Sequence, residues 1–383
     1  MSSRQTGKRN PSFNLLQMLG MLFVICGHYG SNALSWGGLM RYDDFHIALF
    51  LFISGCFYNE EFHSSAKKLG LFIRKRTKKL MVPYYLWNAV YYVVAIVLYR
   101  VADLDLGNIG DSTWQRFIIE PFRMAKGWGY NVAAWFLPTL FLIQVHHGLL
   151  SWIICHTRRN RIITCAWYLI LSAMGVWLRQ NLMTDPGSAQ IMLLRVMFLS
   201  VWYYLGFLYK TDLEKLDQGV SSALVMSVCL LGKAILIKIN GASTFVFYNA
   251  NYTMPYWDTM LRCFLSIWFW LRIAQILTPA IPGKTAEYFA THNFSLMMHQ
   301  GLVGLGLNYI MIHIPFIRRS MSAEARASFR TDIWRNIGPP EFNIIYPILI
   351  PLIIMTGCFV YETSLDHIKK SRLRRKTPET DNN

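Results

Sequence analysis

The chain has 383 residues, of which 54% are hydrophobic, 15% aromatic and only 15% charged, whereas soluble domains carry about 25% charged residues. Its charges gather in short clusters between long apolar runs, the pattern of a polytopic membrane protein. The net charge of +17 would suit a nucleic-acid binder, but that function needs a basic face on a soluble fold, and the apolar runs exclude it.

Spans of about 20 apolar residues can be placed in chain order. Residues 1–12 form a basic, cytoplasmic N-terminus, with Arg4, Lys8 and Arg9 before the first span at 13–30. No small-residue cleavage site follows, so this span reads as retained and not as a signal peptide. The second span covers 45–59 and is followed by Lys67, Lys68, Arg74, Lys75, Arg76, Lys78 and Lys79. The third opens at Pro83-Tyr84-Tyr85 and ends near Arg100, and a short interfacial helix is expected around Trp114 to Met124. Further spans fall at 132–154, 162–180, 191–209, 219–239, 257–278, 290–314 and 343–361. The basic tail, 362–383, reads as disordered and cytoplasmic.

The expected fold is therefore all-α, one transmembrane domain over 13–361 with about ten helices and no internal repeat. Lys and Arg concentrate in alternate connections, and the positive-inside rule then puts both termini in the cytoplasm. Seven cysteines, an odd number without a CxxC pair, read as buried thiols.

Two histidines stand out. His28 lies near the outer end of span one and His46 near the outer end of span two, so one helical hairpin sets both imidazoles at similar depth. Ionisable groups at membrane depth often mark substrate paths, and histidine titrates near neutral pH, which suits a general base. A backbone hydrogen bond at the interface is the structural alternative. The cluster around Arg74 and Arg76 reads either as a topology signal that attracts anionic lipid or as a phosphate-binding site, for which arginine has the planar fork. No glycine-rich phosphate loop accompanies it.

His299 lies roughly 12 Å into span nine, where a polar group needs a partner. Arg195, Arg262 and Arg272 can snorkel and read as structural. Trp135 fits an aromatic belt at the start of span four. Ser54 beside Gly55 reads as a close-packing element. His146 and His147 are adjacent and face different ways, which argues against a metal site; no HExxH, GxSxG or paired-carboxylate motif is present.

Several landmarks follow in order: Gly27-His28, Phe45-His46, Phe50-Leu51-Phe52-Ile53-Ser54-Gly55, Arg76 with Lys79-Leu80 and Pro83-Tyr84, Trp135-Phe136-Leu137-Pro138, Tyr204-Leu205-Gly206-Phe207, and Phe294-Ser295 with His299. Together they resemble the membrane acyltransferase-3 family, in particular its fucose 4-O-acetylase-like branch of sugar O-acetyltransferases. The chain departs from the family pattern at Gln17, where the family commonly has arginine, and at Asn14, where it has aspartate.

The resemblance implies transfer of an acyl group, most often acetyl from cytoplasmic acetyl-CoA, to a sugar hydroxyl. The acceptor would be a surface polysaccharide or its undecaprenyl-linked precursor, and the setting the bacterial inner membrane. It implies His28 as base or acyl relay, His46 as its orienter or an acceptor ligand, Arg74 and Arg76 on CoA phosphates, and His299 and Trp135 as substrate-pocket residues. No metal is expected. The alternative is a polysaccharide or lipid-linked sugar transporter without acyl chemistry.

Overall fold

A computed structural model describes residues 10–104, 114–123, 129–157, 161–242, 246–323 and 343–376. Among them the regular structure is helical, apart from a single antiparallel bridge between Val246 and Asn251. The first helix, α1 (Pro11–His28), begins as its sequence dictates. Proline occupies the first turn, and the Asn10 side chain accepts from the Ser12 N–H, satisfying an otherwise orphaned donor. There follow α2 (His46–Cys56), α3 (Ala66–Arg76), α4 (Val82–Ala102), α5 (Phe136–Thr157), α6 (Arg161–Asn181), α7 (Ser188–Leu208), the short α8 (Glu214–Gln218), α9 (Ser222–Asn240), α10 (Tyr256–Leu277), α11 (Gly283–Thr291), α12 (Asn293–Ile312), α13 (Pro315–Ser320) and α14 (Ile345–Lys376).

Every one of the ten apolar segments thus forms a helix, and among the described residues eight helical stretches are long and apolar enough to cross a membrane. Two segments fall outside those eight. Helix α12 has 20 residues but carries Asn293, His299, Gln300 and Asn308, which lower its hydropathy. Helix α2 has only 11 residues and so rises about 15 Å, half of the ~30 Å hydrocarbon core. With Cys56 at the expected inner surface, His46, its first residue, stands near mid-depth, not at the outer end of a full span. The chain between His28 and His46 re-enters the bundle to reach it. Irregular backbone at such depth is tolerated only where protein or a water-filled cavity surrounds it.

The dive is held by a buried ion pair. Asp44, at the end of the short turn Tyr42–Asp44, meets Lys233, which lies about 16 Å along α9, and both side chains are buried. The thiol of Cys263 donates to the Asp44 carbonyl at 2.6 Å. Arg262 pairs with buried Asp258, and buried Arg272 with Asp217, each at 2.6 Å. Each of these arginines is thus paired by a carboxylate near an end of α10.

The third span's apolar stretch opens near Pro83 as expected, but its helix begins earlier, at Ala66. Helix is continuous over Ala66–Ala102, with a π-turn at Thr77–Met81 in which the Val82 N–H reaches the Thr77 carbonyl. In an unbroken α-helix the proline ring collides with the carbonyl four residues back, here that of Lys79; the wider turn makes room for it. A second π-turn, Tyr209–Leu213, carries α7 onward into α8, so the expected polar connection at 210–218 is helical. Of the expected interfacial helix, the described part consists of the short helical turns Gln115–Ile119 and Glu120–Phe122; residues 124–128 lie outside the described residues. The last helix runs on to Lys376, and residues 377–383 also lie outside them.

Helices α2 and α7 pack backbone to backbone. A Cβ on Gly55 would fall on the Tyr203 carbonyl, and one on Gly206 would fall on that of Phe52. Small residues at crossing points are how apolar helices approach in a bilayer. Ser54 accepts a hydrogen bond from Gln144 Nε2 at 2.9 Å beside that contact.

Contacts between connections follow the alternation of spans. Arg161 pairs with Glu60 and Asp212 on one side, the inner side in the orientation expected from Lys and Arg. On the other, Arg179 and Gln180 bond to residues 250–254, and Asn343 to Gly30.

Candidate active site

A cavity of about 420 Å³ runs between the helices. Its wall includes His28, Asp43 and His46 towards the expected outer side, and Lys79, Leu80, Pro83 and Asn293 towards the expected inner side. Between them the lining is apolar, including Met21, Ile47, Phe50, Phe136 and Met297. Both histidines are half-buried, as residues lining a cavity should be.

His46 has a defined tautomer. Its Nδ1 lies 2.6 Å from the Tyr42 carbonyl, an atom that can only accept, so Nδ1 carries the proton and donates. Nε2 is left as the basic nitrogen. The carbonyl belongs to the turn pinned by Asp44 and Lys233, so the ion pair fixes the imidazole indirectly. Asp43, beside that ion-paired residue, also faces the cavity. Its Oδ1 lies 3.9 Å from where a Cβ on Gly27 would stand, so it reaches the turn that ends in His28. Asp43 also pairs with Arg41 at 3.2 Å, both half-exposed, a contact worth little on its own.

Trp135 lines the cavity, with the guanidinium of buried Arg195 4.5 Å above its ring. The same guanidinium lies 5.1 Å from the Tyr248 ring and donates to the Tyr248 carbonyl. Arg195 thereby clamps a small hairpin, closed by the Val246–Asn251 bridge, whose residues Val246, Phe247 and Tyr248 form part of the wall.

Arg74 and Arg76 do not line the cavity: Arg74 is exposed, and Arg76 lies 5.0 Å over Phe72. Lys79, one turn further along the same helix, does line it, because the π-turn brings Lys79, Leu80 and Pro83 to one wall. His299 also stands apart. Its ring is 4.5 Å from that of Trp87, and its Nδ1 is 2.9 Å from the Tyr91 hydroxyl, at the contact between α4 and α12. His299→Ala is accordingly expected to lower the yield of folded protein more than its specific activity, measured as transfer per unit of membrane-inserted chain. Gln17 accepts from Asn293 Nδ2 at 3.3 Å, so a neutral amide pair stands at the inner wall.

Sequence reasoning brought His28, His46 and Trp135 into one site and missed Asp43, Lys79, Asn293 and the hairpin. Asp43 had a readable signal, since it stands three residues before His46; the hairpin, two hundred residues away, had none.

The acyltransferase-domain model Acyl_transf_3 matches residues 10–361, nearly the whole chain. The chain belongs to the acyltransferase-3 family. No curated protein and no solved structure gives a significant match. The acyltransferase is thus an all-α, multi-pass membrane protein in which the histidine hairpin and the basic helix meet in one cavity.

Proposed function

We propose that the chain moves an acetyl group from acetyl-CoA to a hydroxyl of a sugar, in a surface polysaccharide or its undecaprenyl-linked precursor, in the manner of the fucose 4-O-acetylase-like branch at a bacterial inner membrane. The observation that carries this reading is the single cavity reaching from Lys79 to His28 and His46. A donor held at the inner mouth need not cross a full bilayer to meet a base placed at mid-depth. Lys79 at the mouth, with Arg76 and Arg74 lower on the same helix, offers cations to the donor phosphates, and the apolar middle suits a thioester arm.

The acceptor hydroxyl gives its proton to His46 Nε2 as its oxygen attacks the thioester carbonyl. The new C–O bond forms, the C–S bond breaks, and the proton passes to the departing thiolate. His28, which lines the same cavity as Asp43 and His46, is placed to stabilise the developing charge or to carry the acyl group between donor and acceptor.

Mass spectrometry of the surface glycan, with and without the protein, tests the reading. Loss of one acetyl mass per acylated unit, with the polymer still exported, is the expected result. Loss of the polymer without a change in acylation would overturn it in favour of transport.

A further inference from the structure

The hairpin that walls the cavity has a second arm. Asn251, Tyr252 and Thr253 line another hollow, of about 410 Å³, completed by Arg179, Gln180 and Thr184 from the end of α6 and the connection after it. By the alternation of spans this hollow lies on the side where α1 and α9 end, the expected outer side.

Its polar groups are arranged in a specific way. Arg179 spends its guanidinium on the protein, donating to the carbonyls of Ala250 at 3.1 Å, Met183 at 3.0 Å and Thr184 at 2.8 Å, and to Asn251 Oδ1 at 3.4 Å. Gln180 Nε2 donates to the Tyr252 and Met254 carbonyls at 2.7 and 2.8 Å. What remains for a ligand is Gln180 Oε1, Thr184 Oγ1 and Asn251 Nδ2, which make no hydrogen bond among the described residues. These are neutral acceptors and donors side by side. A phosphate or carboxylate would call for an uncommitted cation, and a purely apolar ligand would leave these three polar atoms unpaired. A sugar, whose hydroxyls both donate and accept, matches the set.

We propose that this groove binds a sugar unit of the acceptor glycan adjacent to the unit that is acylated, so that one hairpin walls both the reaction cavity and a recognition subsite. The inference rests on the sugar-acceptor reading above.

The test uses Thr184→Trp, which fills the groove from an exposed rim position. Two quantities are measured: the ester content of the surface glycan in cells, per unit of membrane-inserted protein, and thiol release from acetyl-CoA by the purified full chain without acceptor. The expected result is a fall of about tenfold in glycan ester, the equivalent of losing one or two hydrogen bonds, with thiol release unchanged. Glycan ester at the wild-type level would overturn the proposal. If Thr184→Trp also lost thiol release, Thr253→Trp on the opposite rim is read in the same way, and loss of thiol release in both would make the groove structural and overturn it. A wild-type chain that releases thiol yet leaves no ester on any glycan would instead sink the sugar-acceptor reading, and this subsite with it.

Discussion

Replacing His46 by alanine is expected to lower acyl transfer by roughly 10²- to 10⁴-fold, the contribution of a positioned general base, while leaving the amount of protein in the membrane unchanged. The ring is half-buried in a cavity wall, and its one hydrogen bond among the described residues runs to a carbonyl four residues back, so its removal leaves no void in the packed core. The informative companion is His46→Gln. Its amide N–H can still reach the Tyr42 carbonyl, but it has no basic nitrogen, so geometry and basicity separate. Transfer restored in His46→Gln would show that the residue only fills space, and His46 would then be discarded as the base. His28→Ala, measured alongside, is also expected to abolish transfer, because both histidines line the same cavity. Transfer at the wild-type rate in that variant would remove His28 from the chemistry.

The order of helices was legible because each span is a long apolar run bounded by charge, and apolar length is the signal that a bilayer imposes. The length of α2 was not. Phe45 to Tyr58 reads as one apolar stretch, yet the helix starts at His46 and stops at Cys56, and what precedes it is drawn inward by Asp44 meeting Lys233, 189 residues away. No local pattern encodes that pairing. The continuity of α3 and α4 was hidden for a different reason: proline announces a helix start, and only the π-turn lets the helix pass through it. The two histidines could be found because they are rare at membrane depth. Their partners on the cavity wall could not, since Lys79 looked like one basic residue among seven and the hairpin at Val246 looked like a polar loop.

Lys233→Met is expected to be the most destabilising single change to the scaffold of the site. It leaves Asp44 buried at 2% exposure with its countercharge gone, a situation that costs roughly 3–5 kcal/mol. The apparent melting temperature in detergent should fall sharply, and little folded chain should reach the membrane. The double variant Asp44→Leu/Lys233→Met should recover most of that loss, because two apolar side chains of similar volume need no desolvation, and the two changes should therefore be strongly non-additive. Activity should not return with the fold. The ion pair holds the turn whose Tyr42 carbonyl fixes the tautomer of His46, and an apolar contact supplies packing without that register. A double variant that melts like the wild type but transfers acyl groups slowly would separate the two roles of the pair. A single variant with unaltered melting would show that Asp44 does not depend on Lys233, and the account of why the loop descends to mid-membrane would have to be abandoned.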